Sequence, residues 1–89
     1  MQTDFAERAL EETAAPSDRP HRTLDVRELG PPKPLTETLQ TLADLDGVVL
    51  VQVNDRAPKH LYPKLADRGY EFETIADGDV TLTTIWPAD

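Results

Sequence analysis

Hydrophobic positions alternate between two periods along the chain, and from Arg22 onward they predict a mixed α/β domain. Leu24 and Val26 flank Asp25 with the two-residue period of a short strand over Thr23 to Val26. A stiff loop, Gly30 to Pro34, follows. Leu35, Leu39, Leu42 and Ala43 then fall at i, i+4, i+7 and i+8, the stripe of an amphipathic helix that Pro34 opens and Gly47 closes. Val48 to Val53 is a near-continuous β-branched run, as expected of a central strand covered on more than one side, and Asn54 and Asp55 end it. A second helix is predicted from about Leu61 to Arg68, with a loose first turn because Pro63 removes a backbone donor. Its sheet-facing residues are Leu61, Tyr62, Leu65 and Ala66, and Gly69 lies just past its end.

The last segment reads as a β-hairpin. A three-residue loop of Ala76, Asp77 and Gly78 pairs Phe72 with Leu82, Thr74 with Val80 and Tyr70 with Thr84, and leaves Glu71 and Glu73 outward. The expected fold class is α+β, a two-layer sandwich of order β-α-β-α-β-β. Two helices lie on one face of a four-stranded mixed sheet whose first two strands are parallel. The other sheet face, with Ile75 and Ile85, then needs cover or tolerates water, so a monomer or a weak homodimer is expected.

Residues 1–21 differ from the 22–87 domain and read as a flexible acidic tail. Asp4 and Glu7 have capping-box spacing, and Phe5, Ala9 and Leu10 line one side of a short helix. Fewer than about 12 residues do not overcome helix nucleation in water. Two readings stay open: a frayed tail, or a helix that orders on docking to a partner. Pro16, Ser17, Asp18 and Pro20 read as linker.

Composition narrows the function by exclusion. The 89 residues carry 17 Asp and Glu against 9 Lys and Arg, a net charge of −8, and such a surface repels phosphate backbones, so nucleic acid is not an expected partner. Ten Asp and only three Lys also suit a salt-loaded cytosol of the haloarchaeal type, the alternative being an ordinary acidic protein. The absence of cysteine removes disulfides, thiolate metal sites and a catalytic thiol. Val48 to Val51 is too short to span a bilayer and no export signal opens the chain, so a cytoplasmic location without membrane association is expected.

No enzyme is expected. Ser17, the only serine, lies in the linker; His21 and His60 stand apart, without the converging ligands a metal requires. The pairs Asp44 with Asp46 and Asp77 with Asp79 sit at predicted turns, where Asp bonds nearby backbone N–H groups. One constellation remains. Gly30, Pro31, Pro32, Lys33 and Pro34 deliver the chain to a helix amino terminus, and Arg27 and Arg56 approach from the ends of the two parallel strands. Either this is an anion pocket, or the prolines only fix the entry angle of the helix.

The stretch Leu24-Asp25-Val26-Arg27-Glu28-Leu29-Gly30-Pro31-Pro32-Lys33-Pro34-Leu35 resembles the opening of TusA/SirA-like domains: Leu-Asp, a spacer, Gly-Leu, then Cys-Pro-x-Pro before the first helix. Pro32 and Pro34 match the two prolines. Pro31 stands in place of the cysteine and Glu28 in place of the preceding glycine. Val51-Gln52-Val53-Asn54-Asp55, then Pro58, Leu61-Tyr62-Pro63 and Arg68-Gly69-Tyr70, look like an uncharacterised branch of that superfamily. In that branch the Asn-Asp pair is usually followed by His, Asp or Glu and then Pro, where this chain has Arg56 and Ala57.

The resemblance runs from about Thr23 to Trp86. TusA-like proteins pass a persulfide carried on that cysteine to partner proteins, and Pro31 has no sulfur, so the resemblance implies a docking surface without its cargo. Branch members often lie fused to or near hemerythrin-like and redox proteins, which implies an accessory role in redox or sulfur-related metabolism. The expectation is a non-enzymatic module that needs no cofactor and meets an unidentified protein partner through Arg27, Gly30 to Pro34, Asn54, Asp55 and Arg56. The alternative is a small anion or cofactor bound at the helix amino terminus by Lys33, Arg27 and Arg56.

Overall fold

The computed structural model describes residues 5–16, 18–30, 33–45 and 47–88. Asp4, Ser17, Pro31, Pro32 and Asp46, named above, lie outside the described residues. The elements in chain order are α1 (Phe5–Glu12), β1 (His21–Asp25), α2 (Lys33–Asp44), β2 (Val49–Asn54), α3 (Leu61–Asp67), β3 (Tyr70–Asp77) and β4 (Val80–Pro87).

The four strands form one mixed sheet in the order β1-β2-β4-β3. β1 and β2 run parallel, with Thr23 opposite Val51, while β4 is antiparallel to both β2 and β3. Val49 to Asn54 are all buried, because β2 has a strand on each edge and helices over both faces. Even-numbered residues of β2 face α2 and α3. There Leu50 packs with Leu42, Leu61, Leu65 and Ile85, and the rings of Tyr62 and Phe72 stack with centroids 4.7 Å apart. The α+β fold and the parallel pairing of the first two strands are therefore as the periodicities predict.

Three features differ from the sequence reading. The first is the hairpin register. Asp77 pairs with Val80, Ile75 with Leu82 and Phe72 with Ile85, around a two-residue loop of Gly78 and Asp79. Gly78 has φ +62° and no other kind of residue has positive φ among those described, which is the demand of a II′ turn on its first loop residue. The expected pairing of Phe72 with Leu82 is off by an odd number of residues, and such a slip moves side chains to the opposite face. Leu82 consequently lies under α1, while Ile85 belongs to the core beneath α2 and α3.

The second is the amino-terminal segment. Phe5 to Glu12 is helical and packed against the sheet instead of standing free of it. Ala6 and Ala9 are buried against Val51, Val53 and Leu82, with Phe5, Ile75 and Val80 around them. Leu10 and Ala15 close over Val49 and Trp86. Polar contacts pin the segment after the helix: the Ala14 N–H donates to Glu73 Oε1 at 2.8 Å, and the Thr84 hydroxyl donates to Thr13 Oγ1 at 3.1 Å. Eight residues do not hold a helix alone, but the apolar face they cover supplies the missing stabilisation.

The third is the buried stripe of α2. Ala43 is exposed, and Thr38, three residues after Leu35 and four before Leu42, is fully buried instead. Its hydroxyl donates to the Pro34 carbonyl at 2.7 Å, which satisfies the proton inside the helix.

Candidate functional site

β1 and β2 end side by side, and their outgoing chains part. After β1 one more sheet bond forms, from the Val26 N–H to the Val53 carbonyl at 2.9 Å, and the chain then turns through a bond from the Leu29 N–H to the Val26 carbonyl at 3.1 Å. After β2 the segment Asp55 to His60 swings out before α3 begins. A cleft of about 380 Å³ lies between the two exits, at the carboxyl ends of the parallel strands. In open α/β sheets ligands commonly bind at that end.

The cleft walls are mostly apolar. Val26 and Leu29 come from the β1 exit, Pro34 and Leu35 from the first turn of α2, and Ala57, Pro58 and Leu61 from the approach to α3. Gln52 and Asn54, the last two β2 residues on the α2/α3 face, also line it. Both are buried, and they are linked in a chain of hydrogen bonds. Asn54 Nδ2 donates to Gln52 Oε1 at 3.3 Å, and Gln52 Nε2 donates to Thr38 Oγ1 at 2.8 Å. The backbone N–H of Asp55 donates to Asn54 Oδ1 at 2.8 Å, so the same asparagine fixes the direction in which the chain leaves β2.

Two arginines reach the cleft, each paired with a neighbouring aspartate. The Arg27 guanidinium grips the Asp25 carboxylate, with Nη2 to Oδ2 at 2.6 Å and Nε to Oδ1 at 3.0 Å, while the Arg27 backbone N–H donates to Oδ1 at 3.0 Å. The hydrogen bond from the Arg27 side chain, outweighing the opposing effect of burial, holds the Asp25 carboxyl below its ordinary value of 3.8. The same bond raises Arg27. The guanidinium also sits over the Phe5 ring, 5.6 Å from its centroid, which ties the end of β1 to α1. Arg56 is mostly exposed, and its Nε lies 3.1 Å from Asp55 Oδ1.

Of the residues singled out in the sequence, Arg27, Pro34, Asn54, Asp55 and Arg56 meet around this cleft. Gly30 and the exposed Lys33 are not among the described residues that line it, and Pro31 and Pro32 lie outside the described residues. Sequence reasoning missed Thr38 and Gln52 as a buried polar pair. The signal was present: Gln52 is the one polar residue in the Val48 to Val53 run, and Thr38 falls within the apolar stripe of α2. It also missed Lys59 and His60 at the rim. Among the described residues no group of three or more His, Asp or Glu is disposed to hold a metal ion, and no helix is long and apolar enough to cross a membrane.

Residues 23–86 match the model of one protein family, described as "Uncharacterized conserved protein (DUF2249)". The chain belongs to that family. The matched span begins inside β1 and ends inside β4, so it contains the cleft and leaves α1 outside. No curated protein and no solved structure matches the chain.

Proposed function

We propose that this DUF2249 protein is a non-enzymatic accessory module that binds a partner protein through the cleft at the carboxyl ends of β1 and β2. The observation that carries the proposal is the make-up of that cleft. Apolar walls from three elements surround buried amides, and both arginines at its edge already hold carboxylates of their own chain. A surface of this kind gains most from taking up apolar groups, with its polar atoms fixing orientation. Among the described residues that line the cleft there is no serine, threonine or cysteine.

The likeness of Leu24 to Leu35 to the opening of TusA/SirA-like domains supports the same proposal. In those domains the corresponding loop meets protein partners; here Pro31 occupies the position of the sulfur-bearing cysteine, so docking is retained without sulfur transfer. A redox or sulfur-related pathway in the cytoplasm is the setting this likeness favours. A cluster of Lys33, Arg27 and Arg56 around a bare anion is the weaker alternative, since Asp25 and Asp55 compete for two of the three charges.

Affinity capture at native salt tests the module, using the full chain and an Ala57→Trp variant. Ala57 is exposed on the cleft wall, so an indole there obstructs the cleft without disturbing the core. The expected result is a stoichiometric partner held by the wild type and lost with Ala57→Trp. Recovery of no such partner, or one retained equally by the variant, would overturn the proposal.

A further inference from the structure

We infer that the free edge of β3 receives an extended segment of a partner protein as an added strand, and that this segment alternates basic with apolar residues. The sheet order β1-β2-β4-β3 leaves one side of β3 unpaired, and the ladder shows which backbone groups face that side. The Ala88 N–H donates to the Gly69 carbonyl at 2.8 Å. An antiparallel ladder bonds alternate residues, so Glu71, Glu73, Ile75 and Asp77 exchange hydrogen bonds with Trp86, Thr84, Leu82 and Val80. Tyr70, Phe72, Thr74 and Ala76 therefore turn their N–H and C=O groups away from the sheet; Pro87, opposite Tyr70, has no N–H to offer it. No backbone hydrogen bond ties these four residues to another described element. Such a row is a template for main-chain pairing, and at eight residues it is longer than the five-residue β1 on the opposite edge.

The side chains beside the edge choose its occupant. Glu71, Glu73 and Asp77 stand at alternate positions on the face shared with α1, interrupted only by Ile75. Glu71 and Glu73 are exposed, and Glu71 makes no hydrogen bond or ion pair among the described residues. Arg8 lies 3.6 Å from Asp77 but is shared with Glu12 at 2.8 Å. A second copy adding its own β3 antiparallel to this one would set these acids against their equivalents on one face, and like charges opposite each other are unfavourable. A strand with Lys or Arg at those positions gains where the second copy loses. On the other face the stacked rings of Tyr62 and Phe72 are partly buried, and the hydroxyls of Tyr62 and Thr74 lie 2.6 Å apart, which fixes the Tyr62 ring over β3. Alternate side chains of an added strand come to lie beside these rings, where apolar residues suit them. The edge is separate from the cleft, which lies at the ends of β1 and β2.

The test is a titration of the isotope-labelled full chain with three peptides, read by the chemical shifts and hydrogen exchange of the Tyr70, Phe72, Thr74 and Ala76 amides. The first is acetyl-Lys-Val-Lys-Ile-Lys-Val-Lys-amide. The second carries Glu in place of every Lys. The third is the first peptide methylated on the backbone nitrogens of its Val and Ile residues, which are the donors that meet the edge when the added strand is antiparallel. The expected result with the basic peptide is saturable movement of the four amides and exchange slowed at least about tenfold. The acidic peptide is expected to bind at least about tenfold more weakly at low salt, and the methylated one not at all.

Glu71→Lys, an exposed change that leaves the core alone, is expected to weaken the basic peptide several-fold and to narrow its advantage over the acidic one. Ala57→Trp, which obstructs the cleft, is expected to leave the titration unchanged, so the edge and the cleft stand or fall separately. The inference is overturned by any of four results: no change at the four edge amides with the basic peptide, equal affinity for the acidic or the methylated peptide, indifference to Glu71→Lys, or loss of binding in Ala57→Trp.

Discussion

Thr38, Gln52 and Asn54 show how a buried polar group is tolerated only as part of a satisfied set. Each hydrogen bond is modest in net terms, yet an amide left without its partner incurs the full desolvation penalty. Thr38→Val keeps the shape and removes the hydroxyl, so Gln52 Nε2 loses its acceptor. The expected loss is about 1–3 kcal/mol in chemical denaturation, with the same slope against denaturant, because the surface exposed on unfolding is unchanged. A neutral outcome would mean that Gln52 finds water in its place. Asp25 illustrates the opposite, exposed case. Its carboxyl is held below 3.8 by Arg27, so the stabilisation it gives is fully present above that value and is lost as pH falls through the lowered folded-state value. With the Asp25 side chain 47% exposed, solvent screening limits the effect. Asp25→Asn is expected to cost about 0.5 kcal/mol at neutral pH, and the difference from wild type should vanish in acid melts below the folded-state value.

At the scale of elements, α1 and the sheet face beneath it depend on one another. The helix is too short to persist alone, and Val51, Val53 and Leu82 would face water without it. Ala9 is fully buried within that packing. Ala9→Asp places an unpaired carboxylate there and is expected to detach α1. The detached form should bind a hydrophobic dye and shift toward dimers or larger species in light scattering, while the cores formed by α2 and α3 keep their slow amide exchange. A monomeric variant without dye binding would show that the helix contributes little. The β3–β4 hairpin makes a related point. Its register is chosen by the two-residue turn at Gly78 together with the need to bury Ile75 and Leu82 under α1, so the amino-terminal helix takes part in deciding a pairing at the other end of the chain.

For the molecule as a whole, the net charge of −8 on 89 residues makes self-repulsion the long-range term most open to adjustment. Raising KCl from low to molar concentration shortens the Debye length to roughly 3 Å and should raise the thermal midpoint. A midpoint that fell or stayed level would show that close ion pairs such as Arg27 with Asp25 outweigh the repulsion. Most of the element order was legible in the sequence, because apolar spacing, the prolines before α2 and the glycines after α2 and α3 are local signals that act within a few residues. Arg27, Pro34, Asn54, Asp55 and Arg56 were also legible as neighbours, since a parallel crossover brings consecutive strand ends together. The hairpin register, the docking of α1, and the joining of Thr38 to Gln52 were not. Each is decided by a side chain's partner far along the chain: a register by which face is buried, a marginal helix by the surface that receives it, and a buried amide by the hydroxyl that satisfies it. Sequence patterns state which residues want to be buried, and only the packed structure states against what.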